Sequence, residues 1–257
     1  MFKKPWIQPE WPGTGQVQVL MTHREGGVSE APYDFLNMGE HVGDDLGSVA
    51  ANRLILGTFI PSDPIWLNQT HGTTVFDADK WVPYGPSGYT DTPQADAAIT
   101  SLPNYVLCIL TADCLPVLLA SKDGQVIGAA HAGWRGLSLG VIEATVAAMR
   151  QKVKKDDLEI QAYLGPAIGP EAFEVGEEVR AVFIEHDKNS ATAFKPRTES
   201  GKYMADIYQL ARLRLNALGI TSIEGGGDCT FKDQRFFSYR RGGVTGRMAN
   251  LIWKTGS

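Results

Sequence analysis

Between Tyr105 and Ala132 three apolar runs, YVLCILT, LPVLLAS and QVIGAAHA, follow one another with only ADC and KDG between them. Joins this short leave no room for a helical crossover, so the runs read as consecutive strands. The second and third form a hairpin around SKDG, with Asp123-Gly124 as the turn signal. Upstream, VQVLMTH (17–23), IWLNQTH (65–71), TTVFDA (73–78) and DAAITS (96–101) have strand character, and SVAANRLILGTF (48–59) has helical spacing. Downstream come a helix over 139–153, a strand over 160–165, helices over 176–186 and 203–218, and one or two late strands in FFSYRRGGVTGRMANLIW. Early strands without regular crossovers, followed by helices, predict an α+β fold built on a layered mixed β-sheet. The 257 residues show no internal repeat and are expected to form a single domain over 1–257, with WVPYGPSGYTDTPQ (81–94) as a polar surface loop.

The net charge of −5 supplies no basic field to hold a nucleic-acid backbone. MFKKPWIQPEWPG has two lysines but no apolar segment behind them, so it does not read as a signal peptide. No apolar run approaches the roughly 20 residues that span a bilayer. Three cysteines, an odd number, suit reduced thiols in a cytoplasmic protein. The expected partner is a small molecule, with no nucleic acid and no membrane.

Cys108, in VLCIL, looks like ordinary core, whereas TADCLP sets Cys114 between an aspartate and a Leu-Pro kink. If residues 121–124 form the turn, Cys114 faces His131 directly, with Cβ atoms about 4.5–5.5 Å apart. If the turn is the tight Asp123-Gly124, the two become a diagonal pair, still on one face. Only an odd-length loop puts them on opposite faces. Thiolate and imidazole within reach make either a metal site or a Cys–His nucleophilic pair. A core cysteine beside a hydrogen-bonded histidine is the plainer alternative.

The surroundings favour chemistry. HAGWRG (131–136) breaks its strand with two glycines and sets Arg135 between them. Glycine permits close backbone approach, and arginine offers a planar fork for phosphate or carboxylate. His71, in LNQTHG, repeats the order strand, histidine, glycine. Two histidines and a cysteine at frayed strand ends can converge on one sheet edge. Three N/S ligands without an obvious fourth describe a catalytic zinc with an open position. Arg135 is the first anion-binding candidate, and Arg24 and Arg241 are further ones. Local turn hydrogen bonding is the alternative for Arg24 and for Asn37 in FLNMG. If Arg240 and Arg241 lie on a strand, at most one of them faces the site. Asp113 reads as supporting or structural, and Asp96 has equal claim to either role. Cys229 reads as core packing and His186 as a cation at a helix end.

THREGGVSEAPYDFLNMGEHVGDD (22–45), NR (52–53), WLNQTHG, ADAAIT, TADCLPVLL, AAHAGWRGL, LGPAIGPEAFEVG and CTF…FFSYRR…TGRMA together cover almost the whole chain. In that order they resemble the bacterial YfiH-type laccase-domain proteins, also called polyphenol oxidases or peptidoglycan editing factors. The resemblance implies a layered fold related to the deamidase domain of cytotoxic necrotizing factor toxins, and a zinc held by His71, Cys114 and His131. It implies purine nucleoside phosphorolysis of adenosine, inosine and methylthioadenosine, with adenosine deamination as a side activity. It also implies removal of L-serine from a wrongly built UDP-MurNAc cell-wall precursor. On this reading Cys114, His131 and Arg135 are catalytic, and Arg24, Asn37, Arg135 and Arg241 bind substrate or phosphate.

The word laccase sits badly with the composition. Five histidines (23, 41, 71, 131 and 186) and no H-x-H pair cannot build a set of multicopper centres. A single copper could replace zinc in the same His/Cys/His site, given its place in the affinity order, and weak phenol oxidation would follow. Two other readings stand beside the zinc enzyme. In one, Cys114 is a nucleophile with His131 as base, which leaves His71 idle. In the other, the chain is a non-enzymatic module stabilised by zinc, which calls for four protein ligands.

Overall fold

The computed structural model describes residues 6–9, 15–81 and 92–256. Its strands in chain order are β1 (Trp6–Ile7), β2 (Val17–Thr22), β3 (Val75–Asp77), β4 (Ala97–Thr100), β5 (Leu107–Thr111), β6 (Leu115–Ser121) and β7 (Ile127–Ala132). They continue with β8 (Ile160–Leu164), β9 (Glu174–Gly176), β10 (Phe194–Pro196), β11 (Lys202–Ala205), β12 (Ile223–Gly225) and β13 (Met248–Lys254). The helices are α1 (Leu46–Gly57), α2 (Trp134–Leu139), α3 (Val141–Val153), α4 (Glu177–His186), α5 (Ile207–Ala217) and the single turn α6 (Tyr239–Gly242). A six-stranded sheet runs β12-β8-β6-β7-β4-β3, a four-stranded antiparallel sheet runs β1-β2-β13-β5, and β10-β11-β9 form a small third sheet.

Strand alternation explains the layering. On one face of the large sheet Val117, Leu119, Ala130 and Leu164 meet Ile142, Val146 and Met149 of α3 and Leu210 and Leu215 of α5. On the other face Leu118, Ala120, Ile127 and Ala129 meet Val19, Met21, Ile109 and Ile252 of the four-stranded sheet. That sheet's outer face packs Leu20, Cys108, Leu251 and Trp253 under Leu56 of α1 and Leu36 and Met38. The result is helix, sheet, sheet, helix. Each fully buried Leu or Val contributes about 1.5–3 kcal/mol by leaving water.

The β6–β7 hairpin takes the tighter of the two expected registers, with Leu115 opposite Ala132 and Pro116 opposite His131. Ser121 N donates to Val126 O and Gly124 N to Ser121 O, closing the turn. Cys114 lies just before β6, and Asp113 at φ 93° breaks the path from β5. Pro116 sits where the pairing of β6 with β8 runs out, so its missing N–H removes no ladder bond. His131 has the parity of Ile127 and Ala129, which points it into the layer between the two large sheets, at its open end.

Several expected elements differ in kind. Residues 65–71 make only two isolated bridges, Ile65 with Leu107 and Asn68 with Gln94. Gly140, at φ 96°, splits the helix expected over 139–153 into the C-terminus of α2 and the start of α3. The helix expected from 203 begins at Ile207, because the Asp206 side chain accepts from Gln209 N as an N-cap, and the preceding residues form β11. In the C-terminal segment only Met248–Lys254 is strand, and Arg240 and Arg241 sit on α6, capped by Ser238. Residues 82–91 of the expected loop lie outside the described residues. All three cysteines are free thiols.

Candidate active site

Asp96 organises the site from beneath, fully buried. Its Oδ1 lies 2.9 Å from His131 Nδ1 and accepts from His71 N at 2.8 Å. Its Oδ2 accepts from Thr70 N (3.1 Å), Thr70 Oγ1 (3.0 Å) and Gly72 N (2.7 Å). Burial works against ionisation here, but the hydrogen bonds from His131, Gly72 and Thr70 outweigh it and hold the carboxyl well below the usual range. These N–H groups are withdrawn from any sheet ladder, so the end of the segment, Thr70–Gly72, pairs with the carboxylate and not with a strand. His71 consequently rests in the left-handed region, at φ 62°.

An ionised carboxylate only accepts, so His131 Nδ1 carries the proton toward Asp96 and its Nε2 is the free ligand atom. The His71 and His131 rings meet edge to face, with centroids 4.7 Å apart, and His71 Nε2 is 4.0 Å from Cys114 Sγ. One ligand atom from each of His71, Cys114 and His131 falls within 4.8 Å of the other two. Burial opposes a thiolate at Cys114, yet the charge of His131 and hydrogen bonds with both histidines pull the thiol down to about 6. Burial likewise opposes a charged His131, which Cys114 and Asp96 together push up to about 9. Cys108, buried without such partners, is pushed up to about 12. A borderline-soft thiolate and two imidazoles, one of them backed by a carboxylate, form a donor set that fits a transition metal.

The glycines of HAGWRG have steric reasons. A Cβ on Gly133 would lie 2.9 Å from Cys114 Sγ and 3.2 Å from His71 Cδ2. A Cβ on Gly136 would lie 3.0 Å from Gly72 O. The first turns of α2 therefore rest directly on the His71–Gly72 backbone.

The triad opens into a cavity of about 420 Å³. Leu110, Ile168, Phe173 and Ile207 give it apolar walls, and Arg135, Arg240 and Arg247 give it cationic groups, beside a His41 imidazole whose pKa is lowered by burial and by Arg247 and Arg53. Arg135 is exposed on α2, its guanidinium 4.7 Å from the Trp134 ring. Arg240 donates to Glu174 O at 3.0 Å, and Arg247 to Thr245 O and Gly246 O at 2.9 and 3.1 Å. Among the described residues none of the three guanidiniums is paired with a carboxylate.

Three of the expected substrate residues are elsewhere. Arg24 donates to Asp34 O at 2.7 Å, pairs with the Asp34 carboxylate and lies over Phe237. Asn37 is buried, donating to Gly39 O and Asp44 Oδ2 and accepting from Gly39 N and Arg247 N. Arg241 spends its guanidinium on the carbonyls of Thr230 and Phe231 at 2.8 and 2.9 Å. Of the adjacent pair, Arg240 is the one that reaches the cavity. Asp113 accepts from Thr230 Oγ1 (2.6 Å), Ser238 Oγ (3.0 Å) and Arg240 N (2.7 Å), pinning α6 over the site. Cys229 accepts from Gly169 N beside a separate cavity, and His186 pairs with Arg214. His41 and Arg247 were not singled out by the sequence; the glycines at 39, 43 and 246 that shape their turns were the only local signal.

A His–Cys–His group at the mouth of a two-sheet layer, facing an apolar and cationic cavity, defines a class: layered α/β proteins with a candidate metal site open to a small molecule. The chain belongs to the multi-copper polyphenol oxidoreductase laccase family, whose model matches residues 18–255. It is 48% identical over 249 residues to the Pseudomonas aeruginosa protein named purine nucleoside phosphorylase PA4543, covering 96% of this chain and 98% of the relative. It is 46% identical over 250 residues to the Escherichia coli purine nucleoside phosphorylase YfiH, again covering 96% and 98%. The crystal structure of Neisseria meningitidis NMB0706 superposes with a TM-score of 0.90 at 44% identity, over 98% of this chain and all of that one. YlmD from Geobacillus stearothermophilus gives 0.89 at 29% identity, over 100% and 98%. The YfiH-type resemblance and the mixed layered fold are thereby established.

Proposed function

We propose that the chain is a zinc-dependent purine nucleoside phosphorylase, with His71, Cys114 and His131 as the zinc ligands. One observation carries this reading. Three ligand atoms meet within 4.8 Å in a cavity that Arg135, Arg240 and Arg247 also line. The names of the relatives support it.

In phosphorolysis an oxygen of phosphate attacks C1′ of the ribose, the bond from C1′ to the purine nitrogen breaks, and the base leaves with the electron pair and takes up a proton. Arg135 and Arg240 hold the phosphate through charge-assisted bonds, which a planar guanidinium can make in pairs. Ile168 and Phe173 cover the purine ring and keep water from it. A zinc ion, when bound, supplies a Lewis acid that polarises a substrate oxygen. Adenosine deamination and release of L-serine from UDP-MurNAc-L-Ser would use the same donor set, and copper could enter the same site by affinity.

The test is metal analysis of protein purified without added metal, followed by product identification. Adenosine with phosphate is expected to give adenine and ribose 1-phosphate. Inosine alone, or serine from the cell-wall precursor, would move the assignment to one of the hydrolytic activities. Cys114→Ala and His131→Ala are expected to lose metal and more than about 100-fold in activity while keeping the wild-type circular dichroism. A folded, metal-replete, active Cys114→Ala protein overturns the reading. The lowered thiol of Cys114 favours one rival, a metal-free Cys–His hydrolase. In that case a chelator leaves activity intact and alkylation of Cys114 abolishes it.

A further inference from the structure

We infer that Asp96 is the positioning residue of this site, a single carboxylate that fixes both histidines at once. The inference rests on the metal reading above and names the device that aims its ligands. Asp96 reaches His131 by two routes, through the ring at Nδ1 (2.9 Å) and through the backbone, where His131 N donates to Asp96 O at 2.7 Å. It reaches His71 by a different kind of contact. The amides of Thr70, His71 and Gly72 and the Thr70 hydroxyl all converge on the carboxylate oxygens. Successive backbone N–H groups curled round an anion form a nest, and here the anion is internal. Asp96 N in turn donates to Thr74 O at 3.0 Å, closing the loop that carries His71.

The carboxylate therefore sets the tautomer of one ligand and the backbone course of the other, although 25 residues separate Asp96 from His71 and 35 separate it from His131. Outer-shell carboxylates of this kind orient a ring and raise its basicity toward a metal. Apart from Cys114, itself one of the three ligands and hydrogen-bonded to both imidazoles, no other side chain at the site touches both histidine segments among the hydrogen bonds of the described residues. Asparagine cannot take over the role. It has one acceptor oxygen, and its NH₂ would face either the Thr70 and Gly72 amides or the His131 Nδ1 proton, donor against donor.

Two measurements test the assignment. The first titrates zinc into wild-type and Asp96→Asn protein in competition with a chromophoric chelator. The expected result is zinc binding about 10- to 100-fold weaker in the variant, with circular dichroism unchanged. The second records long-range ¹H–¹⁵N spectra of the wild-type protein with and without zinc, where His131 should carry a hydrogen-bonded proton on Nδ1 in both states. Wild-type zinc affinity in a folded Asp96→Asn protein, or an unprotonated His131 Nδ1, overturns the assignment. If the variant does not fold, the wild-type spectrum decides. If wild-type protein binds no zinc, the metal reading fails, and the state of Nδ1 still judges Asp96 separately.

Discussion

Gly133 is the position where the smallest change should do the most at the site. A methyl group there would enter the space held by Cys114 Sγ and His71 Cδ2, and neither can retreat without leaving the cluster. Gly133→Ala is expected to keep its fold and lose bound metal together with most activity, read by metal analysis and a thermal melt. The buried thiol of Cys108 and the half-buried thiol of Cys114 should separate cleanly by pH. In metal-free protein Cys114, pulled down to about 6, is thiolate at pH 7 and becomes protonated as pH falls through about 6. Cys108, pushed up to about 12, stays a thiol throughout. Iodoacetamide labelling followed by peptide mass spectrometry should find Cys114 reactive at pH 7.5, markedly less so at pH 5, and Cys108 silent at both. Cys114, His131 and His71 were legible in the sequence because unusual neighbours marked them, a Leu-Pro kink in one case and glycines in the others. Arg24 and Arg241 were not separable from Arg240 that way. A guanidinium looks the same in sequence whether it finds Asp34, four carbonyls or an open cavity, and only tertiary contacts decide which.

The β6–β7 hairpin could be read from its Asp-Gly turn, and both even registers kept Cys114 and His131 on one face, so the pairing of the two did not depend on which register formed. The segment 65–71 could not be read, because its strand-like pattern reduces to two isolated bridges and its last amides, those of Thr70 and His71, go to a carboxylate 25 residues downstream from His71. The C-terminal segment failed differently. α6 exists because Ser238 caps it and Asp113, 127 residues from Arg240, holds it down. Two variants of neighbouring residues should therefore behave oppositely. Arg240→Ala is expected to raise KM for phosphate roughly 10- to 100-fold by removing a charge-assisted contact, with little change in the melting temperature. Arg241→Ala should leave KM near wild type and lower stability, since its carbonyl partners lose their donor. Asp113→Asn, which leaves Thr230, Ser238 and the Arg240 amide short of an acceptor, should cost about 1–3 kcal/mol in urea unfolding.

At the scale of the molecule, the continuous apolar runs of β6 and β7 are buried on both faces, and the two faces meet different partners, helices on one side and the four-stranded sheet on the other. What such runs could not foretell is the order of the strands, in which β13 joins β2 to β5 and so brings Arg247 to a site whose ligands end more than a hundred residues earlier. This architecture also decides what a metal can do for stability. The three main apolar clusters are continuous without any ligand residue among their members, and the triad lies at the open end of the inter-sheet layer rather than inside it. Metal bound there stabilises by mass action on the native state and does not replace a core. Removal with EDTA is expected to lower the melting temperature by about 5–10 °C, for a metal held at a hundredfold excess over its Kd, and to leave one cooperative transition with native circular dichroism. A module that depends on zinc for its fold would instead lose its transition altogether. The melt of the stripped protein therefore separates a metal that serves chemistry from a metal that serves structure, and re-addition of zinc should restore both the melting temperature and the activity.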